Sequence, residues 1–151
     1  MLFTSLSYLL EHYNLEEVKK SYLHLLSMLT TVEDLSNNLF ENCVISIGTQ
    51  GDIIVAYIIV DKQVIITGSG TIFIEQKIIH GGRNVGHIED IVVHSDYRGQ
   101  DIAKNILSIL KDIAKNKNCY KCILNCKEEL EIFYVKNGYI KRGICCSDYL
   151  E

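Results

Sequence analysis

The stretch GHIEDIVVHSDYRGQDIAK, from Gly86 to Lys104, decides how the chain is read. It begins as a strand. Ile88, Ile91, Val92 and Val93 make a β-branched run of the kind found inside a sheet. Two adjacent carboxylates, Glu89 and Asp90, interrupt that run. A polar loop from Ser95 to Gln100 follows, and then Ile102, Ile106, Leu107, Leu110 and Ile113 recur at helical spacing.

Strand, loop and helix in that order build an anion site. The first N–H groups of a helix have no partner within it, and the helix dipole places partial positive charge there. Gly99 allows ligand oxygens close to the backbone. Arg98 and Lys104 add full charges. The arrangement suits a pyrophosphate.

Working outward, the chain supplies a mixed set of elements. Tyr8 to His12 is predicted as a first strand. Asn14 offers an N-cap with Glu17 three residues on, and Leu15, Val18, Tyr22, Leu25, Leu26 and Leu29 continue at helical spacing. Val32 to Asn42 reads as a second helix. Ile53 to Val60 is a continuous apolar strand, Asp61-Lys62 a hairpin turn, and Val64 to Glu75 the return strand. Gly68 and Gly70 within it signal a bulge or a close backbone approach. After the helix that starts at Ile102 come a strand from Tyr120 to Cys126, a helix from Glu128 to Lys136 stopped by Asn137-Gly138, and a last strand from Tyr139 to Cys146. Antiparallel strands followed by alternating strands and helices predict an α/β (α+β) domain with a mixed sheet.

Composition sets limits. A chain of 151 residues is read as one domain, residues 1–151, large enough to bury a core without staples. A net charge of −4 with no basic face argues against nucleic acid as a partner, yet leaves room for a local anion site. The longest apolar run, Ile53 to Val60, is far short of the ~20 residues of a membrane helix. The first residues have no basic segment or cleavage site, so the expected compartment is the cytosol. There the six cysteines stay reduced. Cys119 and Cys122 form a C-x-x-C, but on a strand residues three apart face opposite ways, and no second pair completes a metal site. No metal is expected.

The loop Arg98-Gly99-Gln100-Asp101-Ile102-Ala103 resembles the acyl-CoA loop of the GCN5-related N-acetyltransferases, which runs Gln or Arg, two residues, Gly, one residue, then Gly or Ala. Asp101 stands where the central glycine is usual. Four further segments occur in order: Glu75 to His80, Gly86 to Ile91, Asn118 to Lys121, and Phe133 to Tyr139. Together with Leu29 to Val32 they resemble the glucosamine-6-phosphate N-acetyltransferases.

The resemblance implies the N-acetyltransferase fold: a mixed central sheet, helices on both faces, and splayed strands at His87–Val93 and Tyr120–Asn125 with the cofactor arm in the gap. It implies acetyl transfer from acetyl-CoA to the 2-amino group of glucosamine 6-phosphate, a step toward UDP-N-acetylglucosamine. Ile91, Val92 and Val93, the loop Arg98 to Lys104, Asn125 and Tyr134 would contact the cofactor. Thr30, Lys77, Ile78, Ile79, His80, Glu89, Asp90, Tyr120 and Lys121 would contact the acceptor. Tyr134 would donate to the departing sulfur, and Glu89 is the carboxylate candidate. Adjacent strand residues face opposite ways, so Glu89 and Asp90 are not expected to form a dyad. Asn125 stands where the family has Asp or Glu, so it can orient but cannot act as a base. Tyr120 and Lys121 would act across a homodimer. The Asp101 carboxylate repels the cofactor and also sits where it can satisfy the free helix N–H groups; since relatives carry non-glycine residues here and bind through the backbone, weaker cofactor binding is expected, not none.

Overall fold

The apolar run that includes Ile53 forms strand β2 (Gly51–Val60), and its side chains alternate between two cores. Ile53, Val55 and Tyr57 enter one cluster, Ile54 and Ala56 the other. A strand apolar on both faces needs cover on both sides. The chain supplies it. The computed structural model describes residues 1–150. Before β2 lie β1 (Leu2–Ser5), α1 (Leu6–His12), α2 (Leu15–Leu26) and α3 (Asn37–Gly48). After it come β3 (Gln63–Gln76), a one-turn segment α4 (Ile79–Gly82), β4 (Asn84–Val93), α5 (Ile102–Asn116), β5 (Cys119–Ile123) and α6 (Glu131–Lys136).

The sheet order is β1-β2-β3-β4-β5, antiparallel except for the parallel pair β4-β5. Helices α1, α2 and α3 cover one face through Leu6, Leu9, Val18, Leu25 and Phe40. Helix α5 covers the other through Ile102, Ile106, Leu107 and Leu110. The mixed sheet with helices on both faces is therefore as expected.

Local chemistry explains the joints. Asp61 and Lys62 both have positive φ, 50° and 67°, as a two-residue turn matched to strand twist requires. Asn14 Oδ1 accepts from the N–H groups of Glu16 and Glu17 at 3.0 and 3.1 Å and starts α2. Gly68 and Gly70 let α5 settle onto β3. A Cβ on Gly68 would lie 2.5 Å from Ile102 Cγ2, and one on Gly70 2.8 Å from Ile106 Cγ2.

Four expectations are corrected. Tyr8 to His12 lies in helix α1, started by Ser5 Oγ, and the first strand is Leu2–Ser5 instead. The second helix begins at Asn37, where Ser36 caps it, and runs to Gly48. Tyr139 to Cys146 forms no strand, because Gly143 at φ 67° bends the run and no neighbour pairs with it. Cys119 and Cys122 pack against the same cluster, since Tyr120 is an extra residue in the β4–β5 register and shifts the alternation.

Candidate active site

Strand β4 carries the first half of the site. Ser69 pairs with Val92 and Thr71 with Glu89, so Gly70 alone stands opposite Asp90 and Ile91. This is a β-bulge, and Asp90 takes φ 52° within it. The strict alternation assumed for Glu89 and Asp90 fails at this bulge, and both residues are exposed.

The same strand leaves its neighbour. The ladder to β5 ends at His87↔Ile123, and β4 continues from Ile88 to Val93 without a β5 partner. Unpaired backbone groups on a strand edge invite a ligand to complete the ladder. Leu124 and Asn125 fall outside β5, so the expected gap lies where the two strands part.

Beyond Val93 the chain turns through Ser95–Tyr97 into the loop. Arg98 Nε donates to the Val93 carbonyl at 3.4 Å. Gly99 has φ 77° and open space around it. Asp101 is left-handed, φ 57° and ψ 15°, which is the physical reason a glycine suits this position. Its side chain makes no capping bond, contrary to one expectation. The first α5 N–H with a backbone acceptor belongs to Asn105, which donates to Asp101 O at 2.9 Å. The N–H groups ahead of it remain available to phosphate oxygens, and Arg98 and Lys104 are exposed beside them. The residues present fit an acyl-CoA pyrophosphate, with the Asp101 carboxylate as an opposing charge.

The candidate acceptor segment, Lys77 to His80, is clamped from its own ends. Gln76 Nε2 donates to Lys77 O at 2.8 Å and to Gly82 O at 2.6 Å. The clamp closes a tight loop in which His80 and Gly81 have positive φ, 54° and 68°. Lys77 donates to Glu75, which also bonds His87 Nε2 at 2.6 Å. These two partners hold the Glu75 carboxyl below its usual range. Ile78 is 96% exposed, an apolar side chain left in water by a single chain. The His80 ring packs against Tyr120 at a tilt of 31°, centroids 4.1 Å apart, and Lys121 Nζ lies over the same Tyr120 ring at 5.5 Å. Tyr120 is the bulged residue of β5, which re-aims its ring.

A cavity of about 1070 Å³ borders β5, α6 and the last segment of the chain. His80, Tyr120, Lys121, Asn125 and Tyr134 all line it. Tyr134 is buried and wedged edge-on between Phe133 and Tyr139 at 5.1 and 5.8 Å. Burial, with Cys126 nearby, pushes its phenol up, so it keeps its proton at neutral pH. Thr30, Lys77, Glu89, Asp90 and the Arg98–Lys104 loop do not line this cavity. Within one chain the candidate residues thus fall into two groups.

Sequence reasoning passed over three features. The Glu75–His87 pair joins neighbouring strands, and only the β3–β4 register brings it together. Arg142 lines the cavity from a segment read as strand. The Gln76 clamp depends on a turn that no local motif announces. Among the described residues no group of His, Cys, Asp and Glu could hold a metal, and no helix is long and apolar enough to cross a membrane.

Comparison with known proteins agrees with this geometry. Residues 11–141 match the Acetyltransferase (GNAT) family. The chain is 34% identical to the glucosamine 6-phosphate N-acetyltransferase of Candida albicans over 86% of its own length and 87% of the relative. It is 32% identical to that of Arabidopsis thaliana over 91% of its length and 93% of the relative. The crystal structure of the Arabidopsis thaliana enzyme superposes with a TM-score of 0.83 at 29% identity, covering 99% of this chain and 98% of that one. The chain therefore belongs to the acetyltransferase (GNAT) family and, within it, to the glucosamine 6-phosphate N-acetyltransferases.

Proposed function

We propose that this chain transfers the acetyl group of acetyl-CoA to the 2-amino group of glucosamine 6-phosphate and releases CoA. It would act as one domain, residues 1–151, in the cytosol and as a homodimer, on the route to UDP-N-acetylglucosamine. The observation that carries the reading is the parting of β4 from β5 at His87↔Ile123, beside a helix whose first N–H groups are free. That geometry accepts an acyl-CoA arm and its pyrophosphate, and the relatives named above supply the acceptor.

In this reading the backbone of Ile91, Val92 and Val93 pairs with the arm, and Arg98, Gly99, Gln100, Ile102, Ala103 and Lys104 hold the pyrophosphate. Thr30, Lys77, His80 and Asp90 orient the sugar phosphate, with Ile78 and Ile79 walling the site. The neutral amine attacks the thioester carbonyl, and a C–N bond forms as the C–S bond breaks. Glu89 takes the surplus proton of the nitrogen. Asn125 orients the amine without accepting its proton.

Tyr134 handles the sulfur. A thiol has an ordinary pKa of about 8.5, below that of a buried phenol. The thiolate therefore leaves as an anion held by the Tyr134 hydrogen bond, and full transfer of the phenolic proton is uphill. Holding the two substrates in line supplies ~7–11 kcal/mol of the barrier, so orientation outweighs any single donor.

Two features support a second copy. Strand β5 is an edge strand, and the segment after α6 leaves Ile140 69% and Ile144 94% exposed. Tyr120 and Lys121 on that edge would then serve the partner's acceptor site.

The test is thiol release from acetyl-CoA with and without glucosamine 6-phosphate, for wild type and Tyr134→Phe. Release that depends on the sugar phosphate and falls about 10²-fold in the variant supports both the reaction and the donor. Tight acetyl-CoA binding without release would mark an acyl-CoA-binding protein instead.

A further inference from the structure

Between α2 and α3, after a turn at Ser27 to Leu29, seven residues from Thr30 to Ser36 have no regular structure. Its two ends are tied. The Thr30 N–H reaches Leu26 O at 3.2 Å, and Ser36 Oγ accepts from Leu39 N–H at 3.2 Å. Between them, the polar contacts that reach the segment 31–35 among the described residues both come from Lys19. Lys19 Nζ donates to the Leu35 carbonyl at 2.7 Å, with the Asp34 carboxylate at 3.8 Å.

Lys19 is an unusual choice for this task. It lies on α2 and is only 9% exposed, the one buried charged residue of the chain among those described. Lysine is almost never this buried unless paired. A methionine would fill the same volume without desolvating an ammonium. The ammonium reaches across a gap to the Leu35 carbonyl, with the Asp34 carboxylate as its second partner. That gap is present: a cavity of about 330 Å³ lies between α2 and the segment, bordered by Lys19, Leu23, Ser27, Val32 and Asp34. Apolar packing does not fill it. Leu35 touches the core at one end, so the segment rests on Leu35 and on the Lys19 bridge.

We infer that Lys19 is a positioning residue for acceptor binding: its bond to Leu35 O holds the segment after Thr30 against α2 and so, together with the Thr30 N–H bond to Leu26 O, sets the place of Thr30 in the acceptor site. The inference rests on the reading that Thr30 contacts the sugar phosphate. It concerns KM for the acceptor rather than the chemical step, because the bridge touches neither substrate.

The experiment compares wild type, Lys19→Met, Lys19→Arg and Thr30→Ala in full-length protein. Two measurements are made: KM for each substrate, and amide hydrogen exchange over residues 31–36. In Lys19→Met, exchange in the segment should quicken, KM for glucosamine 6-phosphate should rise about five- to tenfold, and KM for acetyl-CoA should stay put. Lys19→Arg, which keeps a donor and a charge, should restore most of the acceptor affinity. Unchanged exchange in Lys19→Met overturns the inference outright. So does faster exchange with unchanged acceptor KM while Thr30→Ala raises it, since Lys19 would then be structural only. If Thr30→Ala also leaves acceptor KM unchanged, the Thr30 assignment fails and the inference falls with it.

Discussion

The two ends of the candidate site are built differently. At the cofactor end the backbone is pinned within one chain. The bulge at Asp90 is set by the β3 register, the Asp101 turn by the start of α5, and α5 itself sits on the glycines of β3. At the acceptor end the residues sit on an open edge. Strand β5 is five residues long, α6 is six, and the segment beyond them has no ladder. Groups that read a backbone-like ligand need fixed N–H positions, and intrachain packing provides them. The candidate acceptor groups Tyr120 and Lys121 are long side chains, and they sit on an edge strand.

If the acceptor end is completed by a partner, two inactive variants should rescue each other. Tyr134→Phe mixed with a Tyr120→Ala, Lys121→Ala variant would leave one intact site in each mixed dimer. Activity should recover to about one quarter of wild type after subunit exchange. No recovery, from proteins shown to mix, would place the whole site within one chain, where these residues already border one cavity.

The cofactor end should be less forgiving of volume. Gly68→Val places atoms where Ile102 Cγ2 is already 2.5 Å from a Cβ and Ile106 Cδ1 3.2 Å. It should cost about 1–3 kcal/mol, read from the urea midpoint, and should raise KM for acetyl-CoA as α5 shifts. An unchanged KM would show that the loop holds its shape without α5 seating.

Asp101→Gly works in the opposite direction. It removes an opposing charge and a left-handed non-glycine residue. KM for acetyl-CoA should fall about three- to tenfold, with little effect on KM for the acceptor. A rise would mean that the carboxylate serves the cofactor in some way.

The smallest effect compares the two cores through their phenols. Burial pushes Tyr22, on the α2 side, up to about 12, and raises Tyr134 and Tyr139 on the β5 side. Raised folded-state values add stability that is full below the ordinary tyrosine value of about 10 and is lost as pH rises through the folded values. Denaturation midpoints should be flat up to that point and decline above it. Tyr22→Phe should shallow the decline more than Tyr8→Phe, an exposed control.

Much of this was legible in residue order. The run from Ile53 to Val60 requires cover on both faces, Asp61-Lys62 requires a turn, and Ile102 to Ile113 requires a helix, because these are short-range properties of side chains and backbone. Where the reading failed, a longer-range fact had intervened. Tyr8 to His12 looks strand-like alone, yet Ser5 caps a helix there and Leu6 and Leu9 bury their side chains beneath it. Tyr139 to Cys146 has the composition of a strand but no neighbour to bond. The parity of Glu89 and Asp90, and of Cys119 and Cys122, was lost because each bulge adds a residue that no alternation rule anticipates.

The sequence by itself determined the class of the fold, the loop from Arg98 to Lys104 that opens α5 and the identities of the candidate donors, since spacing and residue chemistry are local. Only the tertiary structure decided that Glu75 meets His87, that Gln76 closes the acceptor loop, that Lys19 bridges to Leu35, and that β4 leaves β5 at His87. Those contacts depend on register and on the distance between elements. Such quantities arise when separate segments pack against a common core, and no single segment contains them.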